Sequence, residues 1–200
     1  MKPQEIEDLS FKIIEEEAGD HGFDGRQWPI VRRMMHTSAD FEYIDTVRFH
    51  PEAIGQGMDA IRQGCRIFTD TNMARVGIRK MEISTFGGRV DCLIADERVA
   101  QKAKADGTTR ALAAVDMAAE ELDGGIYVVG NAPTALLRLM KLIHQGQVKP
   151  ALVVGFPVGF VNAAESKDEL INADIPYITN KGRKGGSNIA AAVVNALAIM

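Results

Sequence analysis

I-Y-V-V-G-N-A-P-T-A-L-L-R-L-M-K-L-I-H-Q-G-Q-V-K-P-A-L-V-V-G, from Ile126 to Gly155, is two short apolar runs joined by a longer amphipathic one. The runs Ile126 to Gly130 and Ala151 to Gly155 are too short for helices and rich in β-branched residues. Pro133 to Ile143 between them has a helical period, with proline suited to a first turn. A strand apolar on both faces, then a helix, then another such strand is the signature of a parallel sheet covered on both sides.

The pattern extends outward from this unit. Comparable runs occur at Cys65 to Thr69, Val90 to Ala95 and Ile175 to Thr179, and helical segments at Thr109 to Leu122, Ala163 to Ile171 and Ser187 to Met200. The amino-terminal third reads differently. Met1 to Ala18 is a helix with Ile6, Leu9, Ile13 and Ile14 on one face and Gly19 as its stop. Pro29 to Met35 is a short helix with His36-Thr37-Ser38-Ala39-Asp40 as its polar end, and Pro51 to Gly64 is a third. The expectation is one α/β domain over residues 1–200, a three-layer α/β/α sandwich on a mostly parallel sheet of about five strands.

Bulk properties exclude several classes of function. The 200 residues are 46% hydrophobic and 25% charged, with 23 basic and 27 acidic side chains and a net charge of −4. A nucleic-acid binder would carry a basic surplus. No apolar run is long enough to span a bilayer, and the first twenty residues do not read as a signal peptide. Cys65 and Cys92 have no Cys or His neighbours at metal-ligand spacing, so neither a disulfide framework nor a metal site is expected. A reducing cytosolic compartment follows.

In parallel sheets ligands collect at the carboxyl ends of the strands. The segments that follow the expected strands mix Gly or Pro with polar groups: Asp70-Thr71-Asn72-Met73, Asn131-Ala132-Pro133-Thr134, Phe156 to Phe160, and Asn180 to Ser187. The last of these contains G-R-K-G-G-S-N, Gly182 to Asn188. Its glycines let backbone approach a ligand, Arg183 and Lys184 bring positive charge, and Ser187 stands where it can cap the last helix. Amides at a helix start favour carboxylates or phosphates. The loop is not a Walker A sequence, because no Lys-Ser or Lys-Thr pair follows the glycines. His36 is the second candidate, since histidine titrates near neutral pH and suits proton transfer. His21, His50 and His144 read as capping or surface residues.

Five segments resemble the precorrin-8X (cobalt-precorrin-8) methylmutase family of cobalamin biosynthesis. They are I-V-R-R-M-M-H-T-S-A-D at Ile30 to Asp40, T-D-T-N-M-A-R-V-G-I at Thr69 to Ile78, V-G-N-A-P-T-A-L at Val129 to Leu136, G-F-P-V-G-F-V-N-A-A-E-S-K at Gly155 to Lys167 and P-Y-I-T-N-K-G-R-K-G-G-S-N at Pro176 to Asn188. The resemblance covers nearly the whole chain. It implies an α/β/α homodimer that shifts a methyl group between adjacent ring-C carbons of a macrocycle, giving hydrogenobyrinate or its cobalt counterpart cobyrinate. It implies no cofactor and no resident metal, any cobalt belonging to the substrate. The family's catalytic histidine falls on His36, with further substrate contacts at Ser10 and Arg110. Thr37, Asp70, Met73, Asn131, Thr134, Arg183, Lys184, Gly185 and Ser187 complete the candidate binding set, with Lys184 standing where an Arg is common. A non-catalytic tetrapyrrole carrier, or an α/β enzyme using the glycine-rich loop for a phosphorylated metabolite, would draw on the same residues.

Overall fold

A computed structural model describes residues 2–200. Its centre is a six-stranded sheet in the order β1-β6-β5-β4-β2-β3, built from Val47–Phe49 (β1), Arg66–Thr69 (β2), Arg89–Asp91 (β3), Ile126–Val129 (β4), Leu152–Gly155 (β5) and Tyr177–Asn180 (β6). Five strands are parallel. The edge strand β1 runs antiparallel to β6, with Val47 opposite Asn180 and Phe49 opposite Ile178. The sixth strand exceeds the sequence expectation because three residues are too few to show a period of two.

Strands β4, β5 and β6 are buried at every position, and alternate residues feed two separate cores. Ile67, Ile126, Val128, Leu152, Val154 and Ile178 point into one, against helices α2 (Gln27–Ser38), α4 (Ala53–Arg62) and α11 (Ser187–Ile199). Phe68, Tyr127, Val129, Val153 and Tyr177 point into the other, against α8 (Arg110–Ala118), α9 (Pro133–His144) and α10 (Ala163–Ile171). Short helices α5 (Asn72–Gly77), α6 (Lys80–Thr85) and α7 (Glu97–Ala105) and the four-residue α3 (Tyr43–Thr46) fill connections that have little apolar periodicity of their own. Among the described residues no helix is long and apolar enough to cross a membrane.

The chain order fixes where the strand ends open. After β2 the chain moves outward to β3, then returns to the other side of β2 for β4 and continues to β5 and β6. The loops leaving β2 and β4 therefore diverge, and the crevice between them is the switch point of the sheet.

Helix α1 (Pro3–Ala18) departs from the expected burial. Only Ile14 is buried, and Ile6, Leu9 and Ile13 leave an apolar stripe on the protein surface. Helix α2 is anchored by Trp28, Ile30, Val31, Met34 and Met35 and opens where Asp24 Oδ1 accepts the amides of Arg26 and Gln27, both at 2.8 Å. It closes on Ala39 in the left-handed conformation, whose amide bonds to the Met35 carbonyl at 2.7 Å. His36 is thus in the last turn of α2, one turn earlier in the helix than the sequence suggests.

Candidate active site

Helix α2 lies against α11 and presents His36 on its outer face, exposed. The imidazole meets the Phe11 ring edge-on at 5.1 Å, and the Arg32 and Arg33 guanidiniums lie over that same ring at 4.4 and 4.8 Å. No group among the described residues hydrogen-bonds a His36 ring nitrogen, so both are open to a ligand. The other histidines with defined contacts are engaged: His21 stacks on Trp28 and accepts the Phe23 amide, and His50 accepts the Glu52 amide.

His36 forms a ridge between two clefts. One, of about 350 Å³, is shared with Arg33, Thr37, Arg79, Asn188 and Asn195. The other, of about 320 Å³, is shared with Ser10, Ile13, Glu17, Ala39 and Phe41. The structure thus brings Ser10 and Thr37 to the imidazole from opposite sides, with the Ser10 hydroxyl donating to the Ile6 carbonyl at 2.8 Å. Four polar residues of the first cleft, Arg33, Arg79, Asn188 and Asn195, stand outside the candidate set read from the sequence. A signal exists in the sequence: Asn188 and Asn195 are two turns apart on a mostly apolar helix and share a face. Asn195 closes the α5–α6 corner, accepting the Arg79 amide at 2.8 Å and donating to the Gly77 carbonyl at 2.9 Å.

At the switch point the geometry corrects the reading of Asp70 as an open ligand contact. Its carboxylate is buried and accepts three amides of the β4–α9 loop: Gly130 at 2.8 Å on Oδ1, with Asn131 at 2.8 Å and Ala132 at 2.7 Å on Oδ2. Burial pushes its pKa up against the pull of those amides. The Ser187 hydroxyl is likewise engaged internally. Gly186 holds the cap position of α11, and Ser187, buried, shares a hydrogen bond with the Thr71 hydroxyl at 2.8 Å instead of capping the helix. Gly130 passes so close to α11 that a Cβ there would lie 2.5 Å from the Ser187 Cα.

The glycine-rich loop is tied to α2. Lys184 Nζ pairs with Asp40 at 2.6 Å and Glu42 at 2.8 Å, so its charge is already met within the chain. That hydrogen bond holds the Asp40 carboxyl below its ordinary value and lifts the Lys184 ammonium above its own. Gly185 is pressed on the Phe156 carbonyl, where a Cβ would sit 2.3 Å away. Arg183 remains exposed, stacked over Phe160 at 5.5 Å and without an ion pair among the described residues. The first turn of α11 has no side-chain cap for its amides.

The remaining candidates lie elsewhere on the carboxyl-end surface. Met73 is 69% exposed on α5. Asn131 lies in the β4–α9 connection and Thr134 in the first turn of α9, and Arg110 begins α8 behind a Thr109 cap that accepts the Leu112 amide at 3.2 Å. Helix α8 packs on the opposite face of the sheet from α2. Neither cleft beside His36 includes Arg110, Met73, Asn131 or Thr134.

The sequence model described as "Precorrin-8X methylmutase" matches residues 5–200. The chain belongs to the precorrin-8X methylmutase family. A cobalt-precorrin-8 methylmutase of Priestia megaterium is 50% identical over 100% of this chain and 89% of that protein. A precorrin-8X methylmutase of Pseudomonas aeruginosa is 39% identical over 98% of this chain and 94% of its own length. The crystal structure of a precorrin-8X methylmutase from Thermus thermophilus superposes with a TM-score of 0.92 at 48% identity, covering 98% of this chain and 95% of that one. The relatives thus include methylmutases named for the metal-free substrate and others named for the cobalt-bearing one.

Proposed function

We propose that His36 acts as the proton donor for a methyl shift on precorrin-8X or cobalt-precorrin-8, yielding hydrogenobyrinate or cobyrinate. The reaction class follows from the family: the chain is a methylmutase, an isomerase of cobalamin biosynthesis. The observation that carries the role of His36 is its place on the ridge between two clefts, with both ring nitrogens unengaged. As imidazolium it protonates or hydrogen-bonds a macrocycle nitrogen. Electron density drawn that way stabilises the charge that develops as the methyl migrates.

The substrate is a wide apolar ring fringed with carboxylates, and the surface around His36 suits both properties. Arg33, paired with Glu7, and Arg79, paired with Glu82, line one cleft, and Arg183, which has no ion pair among the described residues, stands with the uncapped start of α11 as a further carboxylate site at the strand ends. Ser10 and Thr37 supply hydroxyls on either side of the imidazole. Held between such contacts, the ring is kept near its reactive geometry with no cofactor of the protein's own. We take the working form to be a cytosolic homodimer. The α1 stripe of Ile6, Leu9 and Ile13, the last of which lines one His36 cleft, is exposed apolar surface that a second copy would cover. Sedimentation at micromolar concentration should give the mass of two chains.

The test is spectral. The protein is mixed with metal-free and with cobalt-bearing precorrin-8 and the visible spectrum followed for each. His36→Ala should lower turnover by about 10²–10⁴-fold, the usual contribution of a general acid, while still binding product. Undiminished turnover removes His36 from the mechanism. A coloured complex that forms without any methyl shift in the parent protein would identify a carrier instead.

A further inference from the structure

A buried ammonium lies beneath the loop that carries Arg183. Lys167, on α10, is fully removed from solvent. Its Nζ donates to the Lys184 carbonyl at 2.6 Å and to the Asn180 side-chain oxygen at 3.3 Å. No carboxylate among the described residues pairs with it. Burial lowers its pKa to about 8, outweighing the pull of Asp168, its neighbour in sequence.

An unpaired ammonium in such a place is costly, and an apolar side chain of similar volume would fill the space without that cost. What the lysine supplies is hydrogen bonds, and they go to one loop. Asn180 reinforces them, since its Nδ2 donates to the Lys181 carbonyl at 2.9 Å and to the same Lys184 carbonyl at 3.0 Å. The Lys184 residue is therefore gripped twice: its carbonyl from below by Lys167 and Asn180, its ammonium from the side by Asp40 and Glu42. The next residue, Gly185, rests on the Phe156 carbonyl. Arg183, just before this grip, inherits its position from it.

We infer that Lys167 is a positioning residue for substrate, holding the Gly182–Gly186 loop in the geometry that presents the Arg183 guanidinium and the α11 amides to one rim carboxylate together. The inference rests on the reading above that this loop meets the carboxylates of the macrocycle. Lys167 touches no substrate itself, and the methyl shift proceeds at a distance from it. Its loss therefore weakens binding of ground state and transition state alike.

The test is Lys167→Met, which keeps the volume and removes the donors. The variant should fold, be cut faster than the parent by trypsin after Lys181, Arg183 or Lys184, and show a KM raised about tenfold or more with kcat changed less than about threefold. Arg183→Gln is run beside it. If Arg183→Gln leaves KM at the parent value, the loop does not meet substrate, and both the reading of the loop and this inference fall. If Arg183→Gln raises KM and Lys167→Met does not, the loop reading stands and Lys167 is a fold residue only. Lys167→Leu, a shorter apolar side chain that likewise removes the donors, covers the case in which Lys167→Met does not fold. Its KM should rise likewise, and a parent-like KM there overturns the inference.

Discussion

Asp70→Asn is the sharpest probe of how the strand ends are held. In the native chain two carboxylate oxygens accept three amides at 2.7–2.8 Å, that of Gly130 buried and those of Asn131 and Ala132 partly buried. An asparagine can turn its oxygen toward Asn131 and Ala132, but its NH₂ then faces the Gly130 amide, donor against donor. One buried N–H loses its partner, at a cost of about 1–3 kcal/mol, and the two surviving bonds lose their charge-assisted part, about 1 kcal/mol each. Relief from burying a carboxylate offsets some of this, so the net loss should be about 3 kcal/mol. For a chain of 200 residues each kcal/mol lowers Tm by roughly 2–4 °C, so scanning calorimetry should find a drop of about 9 °C. Asp70 thus holds the β4–α9 loop. A variant that melts within about 2 °C of the parent would show that the three amides do not depend on the carboxylate.

Two further outcomes are expected from buried groups. The Lys167 pKa is lowered to about 8 from 10.5, so between those values the unfolded chain binds more protons and stability must rise with pH. Urea titrations at pH 8 and pH 10 should show the parent gaining about 2 kcal/mol relative to Lys167→Met, and equal pH responses would refute a buried ammonium. Gly130→Ala brings a methyl to within 2.5 Å of the Ser187 Cα, which is backbone and cannot rotate away. The start of α11 must shift, costing about 1–3 kcal/mol, and KM should rise with the falling Tm because the α11 amides move too.

The parts of the fold that the sequence reveals are those where one physical demand acts alone. Ile126–Val129 and Leu152–Gly155 are buried on both faces, so every position is apolar and the strands are plain. Val47–Phe49 lies at a sheet edge, is three residues long and includes an arginine, so nothing in its composition separates it from a loop. The α1 stripe shows the opposite failure. Ile6, Leu9 and Ile13 have the spacing of a core face, and spacing cannot say whether that face meets the core or remains outside it. At the site, His36 stood out through its chemistry and through the family segment around it, and Ser10 and Thr37 do lie beside it. Asp70 and Ser187 look like ligand groups because they are polar and follow a strand or open a helix. Their actual partners, the Gly130–Ala132 amides and the Thr71 hydroxyl, are 60 or more residues away and set by the sheet order. Lys167 is hidden for the same reason, since a lysine in the middle of a short polar helix reads as solvated until the partner beneath it is known.

The ties of Lys184 have a consequence for substrate range. Its ammonium reaches the Asp40 carboxylate at the end of the histidine helix, and its backbone carries the glycine-rich loop. The loop is thus tied at two ends, by one flexible side chain to the end of the histidine helix and by Asn180 to the sheet beneath. On the function proposed above, a Lys184 strut of another length would move the loop relative to His36 only as far as the Asn180 tie yields.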